Sequence, residues 1–337
     1  MPGSEYLEQA DADFISTATT TATAQLLNTK QSEAFVRLLL SKQALLSRIP
    51  PSNVLFLDRP DADINRISWG AYNSRMGLGE LAEMPETDYA VPTFDARPID
   101  PEPIELHTAV SLRMLLDNIE REGFLATLND EIALAFGNDI EYAAIQGDTS
   151  EGAVVGVPTG LNNTIDGFRV KLADGNVVDH AGGFVTADLL QDMVEALDPE
   201  VLMTVNEGHV FFVPVLVREA WVRVLQSRAT DLGDMSLIAE GVPAYRGIPL
   251  VGCPHMPITE DGVAGTSMSG TLASFSYIFL CNPNELFVGF NPQIRRHQAV
   301  RNTDGKVVNI HLYSAFDVQV RRPEWTSLAY NVRPSIS

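Results

Sequence analysis

Residues 124–148 read FLATLNDEIALAFGNDIEYAAIQGD, and this stretch decides the architecture of the chain. Its large apolar residues recur every three or four positions, which is the period of an α-helix with one buried face. The members of this stripe are Leu125, Leu128, Ile132, Phe136, Ile140 and Ala144. A helix over 124–146 would be roughly 35 Å long at 1.5 Å per residue, enough to form the backbone of a flat domain. Gly147 stands where a left-handed C-terminal cap is common, so we expect the helix to end there.

The segment before this helix predicts a strand and then a further helical stretch. Apolar and polar residues alternate from Ile104 to Val110, which is the pattern of a half-buried strand. Ser111 can cap the helical region that follows, in which a second apolar stripe runs from Leu112 to Ile119. Gly123 separates the two stripes, so the region forms either two helices or one kinked helix.

Residues 51–103 have the composition of a long hairpin loop. Short β-like runs lie at 54–56, 64–69 and 89–94, around a glycine-rich tip at 70–79. Prolines occur at positions 60, 85, 92, 98, 101 and 103, which disfavours a packed domain. A two-stranded projection is marginal by itself and needs another surface to lie on. That surface could belong to another subunit.

The chain ends predict an extended arm and a pair of returning strands. Residues 1–30 hold few large apolar side chains and predict an arm, and an amphipathic helix follows from Gln31 to Ile49. After Gly147 the stretch 148–183 is rich in turns, with hairpin signals at Asp166-Gly167 and Asp174-Gly175.

Helices and strands alternate from there to the C-terminal part. Helices are predicted at 186–197 and 214–226, and strands at 210–213, 249–252, 277–280, 285–290, 298–301 and 306–320. We assign the chain to the α+β class.

Charge and composition exclude several functions. The 337 residues carry 23 basic and 44 acidic side chains, a net charge of -21, so the average surface repels phosphate and tight wrapping of nucleic acid is excluded. Cys253 and Cys281 are too few for a disulfide scaffold, and we expect two buried, reduced thiols. The first residues contain no basic segment followed by an apolar one and no apolar run is long enough to span a bilayer, so a cytoplasmic protein is expected.

The sequence offers little chemistry. No two of the six histidines stand three or four residues apart, so no helical metal pair can form, and we expect neither a metal nor a cofactor. The run 265–270, GTSMSG, resembles a nucleophile elbow, but Ser269 replaces its second glycine. A serine hydrolase that uses Ser267 with His255 or His297 is the alternative from the enzyme class. A structural protein without enzymatic activity accounts more simply for a chain of this length with no recognisable site.

The order of elements resembles that of the major capsid proteins of tailed bacteriophages, whose fold is shared by encapsulin nanocompartments. The most specific match is the run from Phe136 to Thr149, which resembles the end of the family's spine helix with Glu141, small apolar residues, Ile145 and Gly147-Asp148. Further segments agree in order, namely 117–120, 227–234, 247–251 with 256–257, and 280–286. The resemblance covers nearly the whole chain from about residue 30.

The resemblance implies a capsid-type fold in five parts. These are an N-terminal arm and helix (1–50), an extended hairpin loop (51–103), a peripheral domain with the spine helix and the following loop (104–183), an axial domain (184–292) and C-terminal strands that return to the peripheral domain (293–337). It implies an icosahedral shell of hexamers and pentamers around double-stranded DNA, in a virion assembled in the host cytoplasm. DNA would be enclosed without sequence-specific binding. Separate scaffolding, portal and decoration proteins are possible partners, and a membrane is not one.

The resemblance also places the hairpin across a neighbouring subunit. Polar and aromatic residues near its tip are then candidates for contacts between subunits: Arg66, Trp69, Tyr72, Arg75, Glu80 and Glu83. No lysine occurs between Gln43 and Val170, so this loop lacks the amine for the isopeptide bond that welds some shells of the family. An encapsulin-like compartment with a protein cargo is the alternative function of the same fold.

Overall fold

The computed structural model describes residues 25–26, 36–57 except 38, 62–68, 93–111, 124–149, 164–256 except 207 and 227–242, 276–291, 295–300 and 307–333. The strands in chain order are β1 (Gln25–Leu26), β2 (Val54–Phe56), β3 (Ala62–Ser68), β4 (Thr93–Ile99), β5 (Glu102–Ser111), β6 (Asn176–Asp179), β7 (Val210–Pro214), β8 (Ala244–Tyr245), β9 (Ile248–Cys253), β10 (Ser276–Cys281), β11 (Leu286–Phe290), β12 (Arg295–Val300), β13 (Val307–Val320) and β14 (Ser327–Val332). The helices are α1 (Phe124–Gln146), α2 (Phe168–Ala173), α3 (Ala187–Glu195), α4 (Pro199–Leu202) and α5 (Val215–Gln226).

Two six-stranded sheets form the body of the protein. Sheet I has the order β1-β12-β13-β11-β2, and β5 pairs with the other side of β13. Sheet II has the order β6-β14-β10-β7-β9-β8. Strand β13 is the centre of sheet I, because β11 and β12 lie end to end along one side of it while β5 runs antiparallel along the other.

The predicted hairpin is present as a separate ribbon. Strands β3 and β4 pair antiparallel with each other, from Ala62 opposite Ile99 to Ser68 opposite Thr93. They form a two-stranded sheet of their own, and residues 69–92 lie outside the described part of the chain. The paired strands, 62–68 and 93–99, extend closer to the body than the predicted runs 64–69 and 89–94.

The predicted spine helix is confirmed, since α1 covers the expected range 124–146. One core lies around it and joins the face of sheet I that carries Val288, Phe316 and Val318 to the face of sheet II that carries Phe212 and Phe279. The opposite face of sheet II packs on α3 and α5 in a second core, where Trp221 is 1% exposed. Alternation along the strands produces this division, because successive side chains point to opposite faces.

Several local predictions are wrong. The Asp-Gly pairs at 166–167 and 174–175 do not form hairpins, because Gly167 is the N-cap and Asp174 the C-cap of helix α2. Gly147 does not have a positive φ, so it is not a left-handed cap. It is needed for close approach instead, since a Cβ there would lie 2.5 Å from the carbonyl oxygen of Ile165. The amphipathic helix predicted over 31–49 is helical at 36, 37 and 39–41 and then gives way to turns and a short 3₁₀ segment, Leu46–Arg48. Residues 27–35 and 38 are outside the described ranges.

The five-part division of the chain stays a prediction, because sheet membership alone does not define domains, but three strands pair across its boundaries. Strand β6, placed with the spine-helix domain, and β14, placed with the strands returning to it, both lie in sheet II. Strand β11, placed in the axial domain, pairs with β13 in sheet I. Strand β14 lies inside sheet II, between β6 and β10, because its residues are buried on both faces.

Candidate functional site: hairpin base and spine junction

The base of the hairpin rests on the outer face of sheet I. Phe316, Val318 and Val320 of β13 point into the core, so the alternate residues Asp317 and Gln319 point to the opposite face. Both are nevertheless buried, at 7% and 4% exposure. Buried polar side chains need partners, and here the partners are backbone groups of the hairpin.

Three successive hairpin residues meet this face. Asp317 Oδ2 accepts a hydrogen bond from the backbone N–H of Asp100 at 3.0 Å. Gln319 Nε2 donates to the backbone carbonyl of Pro98 at 2.8 Å. Between them Ile99 is completely buried. We call Asp317, Gln319 and Gly289 the mount.

Gly289 makes room for Ile99. It lies opposite Asp317 in the β11–β13 pairing and therefore on the same face of the sheet. A Cβ at this position would lie 2.6 Å from Ile99 Cγ2, closer than real Cβ contacts allow. Because Gly289 has no side chain, Ile99 at the base of the hairpin can pack directly against the sheet.

The acid of the mount is held in an unusual environment. Burial raises the pKa of the Asp317 carboxyl, against the lowering effect of hydrogen bonds from Asp100 and Val318. Arg97 of the hairpin also forms an exposed ion pair with Asp174, with 3.5 Å between the charged groups. Exposed pairs of this kind contribute little, so the buried contacts hold the base.

A second polar cluster joins the spine helix to the other parts of the body. Glu141 of α1 is fully buried, and its Oε1 accepts the backbone N–H groups of Leu45 at 2.5 Å and Leu46 at 3.4 Å. Its Oε2 lies 3.5 Å from His255 Nε2, in the turn after β9. We call this set the spine junction.

Two neighbouring amides complete the spine junction. With its amide oriented to satisfy both groups, Gln43 donates to Glu141 Oε2 at 3.2 Å. Gln146 Nε2 donates to the carbonyl of His255 at 3.2 Å. The junction therefore links the 43–46 segment, α1 and the end of β9.

Burial dominates the electrostatics of the spine junction. It raises the pKa of Glu141, while the hydrogen bond from Leu45 and the nearby His255 act in the opposite direction. Burial also raises the pKa of Asp139, again opposed by His255. The thiol of Cys253 has a raised pKa because it is buried and lies near Glu141.

The structure describes little of the predicted contact residues. Arg66 lies in β3, two residues before the last described residue of that strand. Trp69, Tyr72, Arg75, Glu80 and Glu83 lie outside the described ranges. Their role in contacts between subunits stays a prediction.

The structure describes only part of the hydrolase alternative, which therefore stays untested. Ser267 lies outside the described residues, His297 lies in β12, and His255 faces Glu141. Within the described ranges no group of three or more histidine, cysteine or acidic side chains could hold a metal ion. Cys253 and Cys281 are both free and buried, as expected. None of the described helices has the length and apolar character required to cross a membrane.

Neither the mount nor the spine junction was predicted from the sequence. The run Phe316-Asp317-Val318-Gln319-Val320 carried a signal for the mount, because apolar and polar residues alternate along it. If both faces of this strand are buried, Asp317 and Gln319 must be buried too. Glu141 stands between Ile140 and the small residues Ala143 and Ala144, close to the apolar stripe of α1. No sequence pattern indicated their hydrogen-bond partners, which lie far away along the chain.

Comparison with known proteins finds a curated relative. The Bacillus subtilis (strain 168) protein YqbE, provisionally named as a prophage capsid protein, is 24% identical over 279 residues, which are 83% of this chain and 84% of that protein. No protein-family model matches the chain.

Solved structures of capsids share the fold. The capsid of a native GTA particle matches with a TM-score of 0.55 at 18% identity, over 86% of this chain and 90% of that one. The procapsid of satellite phage P4 matches with a TM-score of 0.59 at 13% identity, over 90% and 99%. The capsid of Gordonia phage Cozz has a TM-score of 0.51 at 17% identity, over 84% and 85%. The resemblance to the major capsid proteins of tailed bacteriophages is therefore confirmed, and the chain has their fold.

Proposed function

We propose that this protein is a major capsid protein that assembles with copies of itself into an icosahedral shell around double-stranded DNA. Its role is structural and not enzymatic. The observation that carries the proposal is the β3–β4 ribbon, whose strands pair with each other and with no further strand among the described residues. Its hydrogen bonds to the body hold the base of the hairpin at Pro98 and Asp100, and we assign its tip to contacts with a neighbouring subunit.

The charge of the chain supports DNA as the content. A net charge of -21 disfavours adhesion to phosphates, so acidic walls would let packaged DNA slide. Hexamers and pentamers of the chain, assembled in the host cytoplasm, would form the virion capsid. Scaffolding, portal and decoration proteins are the further partners that such assembly would use.

Deletion of the hairpin between Ile67 and Glu86 tests the proposal. The proposal assigns the deleted residues to contacts between subunits, so the variant subunit should fold but form no shells. Circular dichroism melting would measure folding, and negative-stain microscopy would count particles beside the unmodified protein. Normal shells from the deletion variant, or an unfolded subunit, would contradict the proposed use of the hairpin.

The content of the particles separates two functions of this fold. Particles purified from the native source should contain nuclease-protected DNA. A defined protein cargo without DNA would instead identify an encapsulin-like compartment.

A further inference from the structure

The mount fixes the hairpin at three points. The carbonyl of Pro98, the side chain of Ile99 and the N–H of Asp100 each have their own partner on sheet I. Two of these contacts are hydrogen bonds, which have a preferred direction, whereas apolar contact alone has none. Three separate contacts at successive residues are sufficient to set an orientation as well as a position.

The length of the ribbon makes that orientation important. Ser68 lies six residues beyond Ala62, about 20 Å along the ribbon at 3.4 Å per residue. A tilt of about 10° at the base would move Ser68 by roughly 3.5 Å. Protein interfaces pack as closely as protein interiors, so an error of this size prevents a fit.

The chemistry of the mount also suits positioning. Asp317 and Gln319 are buried polar groups on a face that larger apolar side chains could have covered. Each makes a specific contact with backbone of the hairpin, and Gly289 leaves a space that matches one branch of Ile99. Beyond burying the base of the hairpin, these contacts are able to set the direction in which the hairpin leaves the body.

We propose that Asp317, Gln319 and Gly289 are positioning residues of shell assembly, which set the direction in which the hairpin leaves its subunit. This inference depends on the proposed function, since direction matters only if the hairpin meets a neighbouring copy. Loosening the mount should change the geometry or yield of the shells without unfolding the subunit.

Distance measurement between spin labels tests the direction itself. Labels at Ser68→Cys and Glu131→Cys would report the ribbon against α1, in free full-length subunits. The two native cysteines are buried, so they should remain unlabelled under native conditions. A control pair at Glu131→Cys and Met203→Cys, both exposed, reports the body alone.

Gly289→Ala is the principal variant, because its Cβ displaces Ile99. We expect the Ser68 distance to shift or broaden by roughly 3.5 Å, corresponding to a tilt of about 10°, while the control distance stays unchanged. Adding Ile99→Ala removes the clashing Cγ2 atom and should restore the distance. Gln319→Leu removes the hydrogen bond to Pro98, together with the bond that Gln319 Oε1 accepts from Val320, and is the second route if Gly289→Ala does not fold.

Microscopy of the same proteins connects direction with assembly. Gly289→Ala should produce misshapen particles or at least a tenfold loss of shells, and the double variant should recover them. An unchanged Ser68 distance in both Gly289→Ala and Gln319→Leu, or normal shells despite a changed distance, would overturn the inference. Absence of shells from the unmodified protein would instead count against the proposed function.

Discussion

Replacement of Glu141 should destabilise the body of the protein. Glu141→Ala removes the acceptor of two backbone N–H groups, those of Leu45 and Leu46, which are 0% and 1% exposed. Each unsatisfied buried N–H costs about 1–3 kcal/mol, so we expect a loss of roughly 2–6 kcal/mol in the free energy of unfolding. Glu141→Gln keeps an acceptor oxygen and is the matched control.

The pH dependence of the two proteins should separate charge from hydrogen bonding. Because the pKa of Glu141 is raised in the folded state, its contribution to stability is fully present below its ordinary value of 4.5 and is lost as the pH rises through the folded pKa. Glutamine does not titrate. Glu141→Gln should therefore gain stability relative to the unmodified protein as the pH is raised from 4.5 to 7.

Urea unfolding at several pH values and hydrogen exchange supply the assays. In Glu141→Ala the amides of Leu45 and Leu46 should lose protection, while amides of the second core, such as that of Val213, should keep theirs. Unchanged stability and unchanged protection in Glu141→Ala would refute the assigned role. A stability difference between Glu141→Gln and the unmodified protein that does not vary with pH would refute the raised pKa.

Three other predictions concern pH stability, assembly in salt and covalent cross-links. Burial lowers the pKa of His209, so the stability that its neutral form contributes is present above pH 6.5 and is lost as the pH falls through the folded pKa. The free energy of unfolding of His209→Gln, measured by urea at several pH values, should therefore vary less with pH in this range. Added salt should promote assembly in light scattering, since it screens repulsion between subunits beyond about 8 Å at physiological ionic strength, and a steady loss of particles with salt would show attractive ion pairs to dominate. Particles boiled in reducing detergent should give one band near 36.8 kDa, because the hairpin carries no lysine; a ladder would point to Lys171 or Lys306 as the amine.

The sequence predicted the elements that a simple period defines. Helix α1 has the expected bounds because its apolar stripe repeats without interruption from Leu125 to Ala144. Helix α2 was missed because six residues are too short for a clear period and Asp-Gly pairs at both ends favour turns. Its one helical signal is the pair Phe168 and Leu172, four residues apart and both fully buried.

The sites were harder to predict than the elements. Asp317 and Asp100 are separated by 217 residues and are brought together only in the folded chain. Sheet membership has the same origin, since β14 enters sheet II through its pairing with β10 and β6 and not through any local pattern. Local sequence determines which segments are strands, whereas long-range packing determines their neighbours.

The pairing of β5 with β13 has a mechanical consequence. Strand β5 follows the hairpin directly and its ten residues run antiparallel to β13, from Glu102 opposite Phe316 to Ser111 opposite Val307. Antiparallel hydrogen bonds lie perpendicular to the strands, so a pull along β5 loads them in shear, all at once and not one after another. A container under internal pressure stretches the links between its subunits. A hairpin rooted in this way can carry such tension into the middle of sheet I without peeling its own strand from the body.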